Sequence, residues 1–253
     1  MQNVKIGIIG IGNLGKIINK TFTCNGFHKS IFLSDNHKNN NYLIKNSHII
    51  ILSIKPSNVK KVLGEIEKFG DQNKLIISCV AGIENDFIEN YLNSDYYPII
   101  RIMPNISIET GKGVIPYFIN DHVNSTHVFQ LNELFKPNFI IECDDEKLIN
   151  TTTLLNGSMP AILSYLSDIF IQLGIEKDIP HDISTKLLIE SLLGTGELLK
   201  TKSTQEIIKQ VCSPNGVTED VLKSMSALSI DKHIKNSISY GIDYVDILDK
   251  KLD

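Results

Sequence analysis

Val4-Lys5-Ile6-Gly7-Ile8-Ile9-Gly10-Ile11-Gly12-Asn13-Leu14-Gly15 is an apolar run of strand length that breaks into Gly10-x-Gly12-x-x-Gly15. Lys16 to Phe22 follows, with Ile17, Ile18 and Phe22 spaced for a helix. Glycines at a strand-to-helix turn give the pattern its chemical meaning. Gly10 permits the tight turn, Gly12 has no Cβ to obstruct an approaching pyrophosphate, and Gly15 lets the helix pack closely on the strand. The helix N-terminus adds unpaired N–H groups and a positive dipole end. A glycine-rich turn with no ligand uses the same residues, but the position directly behind a buried strand favours a dinucleotide.

Outward from this stretch, strands and helices alternate. Ile31-Phe32-Leu33 reads as a second strand ending in Ser34-Asp35-Asn36, and the polar run Asn36 to Asn41 reads as a loop. Ser47 to Ile54 and Leu75 to Val80 are continuous apolar runs, the signature of strands buried on both faces. Val59, Val62, Leu63, Ile66 and Phe69 recur at helical spacing between them. A short helix from Asn85 to Leu92 leads to strand Ile99 to Met103. Two further strands, Gly113 to Phe118 and Phe139 to Glu142, flank a helix from Val123 to Phe135. Short links between alternating elements predict an α/β fold, a Rossmann-type doubly wound, mostly parallel sheet.

The character changes near Asp144-Asp145-Glu146, after which no strand is predicted. Ile162, Tyr165, Leu166, Ile169, Phe170 and Leu173 mark a helix that Gly174 is expected to end. A second helix follows Pro180, its small residues Gly194, Thr195 and Gly196 pointing to a close helix–helix contact. A last one carries Ile234, Ile238, Ile242, Val245, Leu248 and Leu252. The expected division is therefore 1–144, a dinucleotide-binding domain, and 145–253, an all-helical domain for substrate binding and dimerisation. The helical part is too thin to bury so many apolar stripes alone, hence the expected self-association.

The totals exclude other classes. The 253 residues, 42% hydrophobic and 21% charged, are ordinary for a globular protein. A net charge of −4 and a pI near 6.0 without a dense basic patch argue against a nucleic-acid partner. No apolar run approaches the roughly 20 residues of a membrane span, and no signal segment is expected before the first strand. A cytoplasmic setting is expected. The four cysteines, Cys24, Cys79, Cys143 and Cys212, are widely spaced without zinc-ligand spacing, so no metal is expected.

In an open parallel sheet the ligand lies outside the carboxyl ends of the strands. Those ends are Ile9 to Gly15, Ser34 to Asn36, Ser53-Ile54-Lys55-Pro56, Cys79-Val80-Ala81 and Met103-Pro104-Asn105. With Asn40, the first four form the expected cofactor-binding set: Ile9, Gly10, Ile11, Gly12, Asn13, Leu14, Gly15, Ser34, Asp35, Asn36, Asn40, Ser53, Ile54, Lys55, Pro56, Cys79, Val80 and Ala81. Asp35 stands where a carboxylate hydrogen-bonds a ribose 2′-hydroxyl and repels a 2′-phosphate, while Asn36, His37 and Lys38 suit a phosphate. NADH and NADPH both stay open. The second half adds two loops, Thr153 to Ala161 and Val211 to Thr218. Asn156-Gly157 reads as a turn, Ser213-Pro214-Asn215-Gly216 as a type I turn and Thr218 as an N-cap. Cys79 and Cys212 read as packing residues.

These segments carry a resemblance. Gly10-x-Gly12-x-Leu14-Gly15, Ser53 to Pro56, Ile77 to Ile83, Arg101 to Asn105, Thr153 with Asn156 to Ala161, and Val211 to Thr218 are similar, in order, to motifs of the pyrroline-5-carboxylate reductases. The resemblance implies hydride transfer from a reduced nicotinamide to the C=N bond of 1-pyrroline-5-carboxylate, giving L-proline. It also implies dimers that assemble into larger rings, commonly decamers. A protonated cyclic imine is already electrophilic, so the protein must chiefly orient the ring and hold its carboxylate. The N–H groups of Asn215, Gly216, Val217 and Thr218, with the hydroxyls of Ser213 and Thr218, suit that carboxylate. Thr153 matches a family threonine near the ring nitrogen; it and Thr218 form the expected catalytic pair. Asn105 is read as a loop-shaping amide near the nicotinamide and counted with the substrate-contacting residues.

The sequence departs from the family pattern between Asp35 and His48, which is short, at Asn215 for a common glycine, and at Asn156 and Met159 for the usual serine and glycine. Asn at 215 is tolerable because it visits left-handed conformations. A β-hydroxyacid dehydrogenase-like ketone or imine reductase is the alternative enzyme, but it calls for a lysine that residues 151–165 lack. A non-catalytic dinucleotide-binding regulator would not need the Ser213–Thr218 loop.

Overall fold

Ile49, Ile50, Ile51 and Leu52 are all buried, but alternate side chains serve different cores. Ile49 and Ile51 join Ile6, Ile8, Ile18, Phe22 and Phe135 on one face of the sheet. Ile50 and Leu52 join Leu43, Val62, Leu63, Ile66 and Ile88 on the other. A strand covered on both faces must be apolar throughout, which is why these runs are continuous rather than alternating. The computed structural model describes residues 3–35, 37–92 and 96–250.

The strands are β1 (Ile6–Ile9), β2 (Ile31–Ser34), β3 (Ile49–Leu52), β4 (Leu75–Ser78), β5 (Ile99–Ile102), β6 (Val114–Ile119) and β7 (Phe139–Glu142). They form one seven-stranded sheet in the order β2-β1-β3-β4-β5-β6-β7. Every neighbouring pair is parallel except β5 with β6. The chain leaves β1 toward β2 on one side and returns to β3 on the other, so the crevice between the carboxyl ends of β1 and β3 is the topological switch point. The helices of this part are α1 (Asn13–Phe22), α2 (His37–Asn46), α3 (Val59–Phe69), α4 (Asn85–Tyr91), α5 (Ser125–Phe135) and α6 (Lys147–Thr152).

The polar run after Asp35, expected as a loop, begins a helix instead. Leu43 and Ile44 in α2 are fully buried, and a Cβ on Gly7 would overlap the Leu43 side chain, so α2 lies directly on β1. Two apolar side chains anchored by close approach outweigh the low helix propensity of the asparagines. Asn40, although polar, faces inward: Ser34 Oγ donates to its Oδ1 at 2.6 Å and its Nδ2 donates to Glu65 at 2.6 Å.

The later helices are α7 (Met159–Glu176), α8 (His181–Leu199), α9 (Thr204–Val211), α10 (Val217–Ala227) and α11 (Ile230–Lys250). Residues 1–160 with 241–253 form one compact unit and residues 161–240 another. The first unit thus runs past the change of character at 144. Gly174 does not end its helix; it lies within α7, where a Cβ would overlap Ser184 of α8. A Cβ on Gly194 or Gly196 would meet nothing within 4 Å among the described residues, so the close contact expected of them is not made inside the second unit. That unit leaves much of its apolar surface open: Tyr165 is 70% exposed, Phe170 59% and Leu187 56%. The continuous helical stretch Lys147–Glu176 is also long and apolar enough, by length and composition only, to cross a membrane, longer than the sequence reading allowed.

Candidate functional site

Gly10 adopts φ +96°, and a Cβ there would overlap the Ser53 carbonyl. Gly15 approaches the Gly10 carbonyl just as tightly, whereas a Cβ on Gly12 would meet nothing within 4 Å among the described residues. Two glycines are therefore required by the protein itself, and the third fronts open space. The Ser53 hydroxyl donates to the Gly10 carbonyl at 2.7 Å and fixes the turn across the switch point. Gly12 caps α1 without a side-chain hydrogen bond, and the first turn carries no acid. Its orphan N–H groups, its dipole and the gap at Gly12 fit a dinucleotide pyrophosphate.

Around this cradle the expected cofactor residues divide. Ile9 is buried beneath it, Ile11 and Leu14 are half-buried, and Asn13 is exposed beside Gly12. Asp35 and Lys55 are exposed at the ends of their strands, Ile54 is half-buried, and Pro56 opens a 3-10 turn, Pro56–Asn58. Ser34 and Asn40 are buried with their side chains bonded to each other. Cys79 and Val80 are buried and Ala81 partly exposed. Burial pushes the Cys79 thiol far up, which fits packing and not nucleophilic chemistry. Asn36 lies outside the described residues.

At the end of β5, Asn105 Nδ2 donates to the backbone carbonyl and the side-chain oxygen of Asn156, both at 2.9 Å, and its Oδ1 accepts from Ser107 N–H at 2.9 Å. Its amide is committed to the chain, as a loop-shaping residue requires. Asn156 Nδ2 donates to the carbonyls of Met103 at 2.7 Å and Val114 at 3.0 Å. Thr153 does not lie in a loop; it opens a π-helical turn, Thr153–Gly157, that runs on toward α7. Its half-buried hydroxyl donates to the Ile149 carbonyl at 3.3 Å.

In the second unit, Cys212–Gly216 links α9 to α10, with Gly216 N–H donating to the Ser213 carbonyl at 2.9 Å and Asn215 at φ +58°. A turn forms at the predicted place and its Asn is left-handed, but a positive φ at the third residue excludes the type I geometry expected and is the feature of a type II turn. The N-cap is Gly216, not Thr218, which sits one residue inside the helix. Asn215 N–H donates to Glu219 at 2.9 Å, and this bond, then Lys223, holds the Glu219 carboxyl below its ordinary value. Of the anticipated N–H groups, those of Asn215 and Gly216 are thus occupied. Ser213, Val217 and Thr218 are exposed.

Sequence reasoning passed over Glu146, Asn150 and Asn85. Arg101 in β5 is completely buried; its Nη1 donates to Glu146 at 3.0 Å and its Nη2 to Asn150 at 2.6 Å. Glu146 also accepts Asn85 N–H at 2.8 Å. The signal was present: a charge inside an apolar strand demands a partner.

Residues 146–243 match the family described as pyrroline-5-carboxylate reductase dimerisation, and residues 36–82 the one described as NADP oxidoreductase, coenzyme F420-dependent. The pyrroline-5-carboxylate reductase of Aquifex aeolicus is 25% identical over 266 residues, covering 98% of this chain and 97% of its own. That of Pseudomonas aeruginosa is 25% identical over 211 residues, with 82% and 77% covered. The crystal structure of Plasmodium falciparum pyrroline carboxylate reductase with NADP bound superposes with a TM-score of 0.91 at 24% identity, covering 98% of this chain and 99% of that one.

Proposed function

We propose that the chain, which is similar to pyrroline-5-carboxylate reductases over nearly its whole length, reduces the C=N bond of 1-pyrroline-5-carboxylate to give L-proline, the last step of proline synthesis. The observation that carries this reading is the pairing, in one chain, of the Gly12 cradle with a matched dimerisation domain holding the Ser213–Thr218 loop.

Gly12 to Gly15, with Ser53 behind them, hold the pyrophosphate of a nicotinamide dinucleotide, and Lys55 flanks it. When bound, the reduced nicotinamide supplies a hydride. The ring carboxylate is held by the N–H groups of Val217 and Thr218 and the hydroxyls of Ser213 and Thr218, Asn215 and Gly216 shaping the turn behind them. Glu219 tolerates that anion because its own charge is turned toward Asn215 N–H and Lys223. The Thr153 hydroxyl stands near the ring nitrogen, which gains a proton as the adjoining carbon gains the hydride. Asn105 supports the site by fixing the Met103–Asn105 loop.

The open apolar faces of α7 and α8 are covered by a second copy of the chain, so no membrane is needed to hide them. Dimers of this kind assemble further into a ring such as a decamer in the cytoplasm, with no nucleic-acid partner; sedimentation of the purified protein measures that size. The activity itself is tested by following cofactor oxidation with 1-pyrroline-5-carboxylate, NADH and NADPH in parallel. Turnover with the imine but not with a 2-keto acid supports the reading. Cofactor binding without turnover of the imine would replace it with a regulatory one.

A further inference from the structure

Arg101 shares a face of β5 with Ile99, among the apolar side chains of the second core. A guanidinium there is costly unless its partners are held in place. Both of its acceptors, Glu146 and Asn150, come from the segment that begins α6. Asn105, just beyond the same strand, holds Asn156 through the two bonds from its Nδ2, and Asn156 returns two more to Met103 and Val114. Residues 101–105 therefore grip the run 146–157 at both of its ends.

Thr153 lies between the grips. Its own hydroxyl is restrained by a single long bond, 3.3 Å, to the Ile149 carbonyl one turn back. The backbone there opens into a π turn closed by Ser158 N–H on the Thr153 carbonyl at 2.8 Å. Such turns are wide and recur at functional sites. A side chain so loosely held takes its place from where the backbone is pinned.

We propose that the Arg101–Asn150 and Asn105–Asn156 contacts form a two-point clamp that sets where the Thr153 hydroxyl stands, making Asn150 and Asn156 positioning residues for the reduction. The proposal rests on the assignment of Thr153 to the ring nitrogen. Neither asparagine touches substrate; each acts through the backbone of the α6–π-turn segment. The raised carboxyl of Glu146, buried beside Arg101, agrees with a dry clamp.

The test compares Asn150→Ala, Asn156→Ala, Asn150→Asp and Thr153→Val with the double variant Asn150→Ala/Thr153→Val in the intact protein. kcat, both KM values and the thermal midpoint are measured for each. Asn150→Ala and Asn156→Ala are each expected to lower kcat about tenfold, since small misplacements are expensive in a pre-oriented site. The KM for cofactor stays within about twofold. Asn150→Asp, which keeps an acceptor for Arg101, restores most of kcat. The double variant is no slower than Thr153→Val alone, because a misplaced hydroxyl that is absent has no further effect. Full multiplication of the two losses would overturn the clamp, as would unchanged kcat in both folded asparagine variants. If Asn150→Ala does not fold, Asn156→Ala in the Thr153→Val background decides in the same way. Unchanged kcat in Thr153→Val would instead overturn the assignment of Thr153, and the clamp with it.

Discussion

A methyl group on Gly15 would overlap the carbonyl oxygen of Gly10, and the two residues meet because α1 starts directly against the end of β1. Gly12, between them in sequence, has nothing among the described residues within reach of a Cβ. Gly15→Ala is therefore expected to destabilise the fold by about 1–3 kcal/mol, the range for overpacking. Gly12→Ala keeps its melting temperature but binds the dinucleotide at least tenfold more weakly. Fluorescence titration beside thermal melts separates the two. Equal affinity in Gly12→Ala would remove the pyrophosphate from this turn.

Thr218 contributes an exposed hydroxyl and N–H in the first turn of α10. A hydrogen bond to a charged group is worth about 1.5–3 kcal/mol. Thr218→Ala should accordingly raise KM for the imine, and the Ki of a cyclic carboxylate analogue, by about tenfold or more, with KM for cofactor unchanged. Unaltered KM and Ki would put the carboxylate elsewhere.

Glu146 provides a pH test. Burial outweighs the attraction of Arg101 and the Asn85 N–H bond, and raises its carboxyl above the ordinary 4.5. The folded state then holds the proton more tightly than the unfolded one. Its contribution to stability is full below 4.5 and is lost as pH rises through the raised folded value. Glu146→Gln has no such proton to lose. The stability of wild type relative to Glu146→Gln, from denaturant melts, should thus fall as pH rises from about 4.5. A difference that grows in favour of wild type over that range contradicts the assignment.

The thiols make a simpler case. Cys24 is exposed, while Cys79 is buried with its thiol pushed far up. A thiol reagent at neutral pH should modify Cys24 and spare Cys79, and Cys79→Ala should keep kcat within about twofold because hydride transfer needs no thiolate. Loss of turnover in folded Cys79→Ala would give that residue a chemical role.

The sheet was legible because strands closed on both faces must be apolar end to end, as in Ile49 to Leu52. α2 was not, because its polar side includes Asn40, which turns inward to Ser34 and Glu65, and only Leu43 and Ile44 show the apolar face. Asn156-Gly157 looks like a turn by composition, yet its Asn is spent on Met103 and Val114 and the backbone stays helical. Gly174 resembles a helix stop because close packing against Ser184 requires the same residue as a stop does. The Gly10–Gly15 turn was readable because Gly10 and Gly15 each answer a separate steric demand of the strand-to-helix junction. The Arg101 clamp was not, since its partners lie some 45 and 49 residues away.

The most direct test of the central claim follows the hydride itself. The enzyme is given 1-pyrroline-5-carboxylate and a reduced nicotinamide dinucleotide deuterated at C4 on the transferred face, and the product is analysed by mass spectrometry and NMR. L-Proline is expected to form one for one with oxidised cofactor, carrying deuterium on the ring carbon that had been doubly bonded to nitrogen. Cofactor bound but not oxidised, or oxidised without label reaching proline, would contradict it.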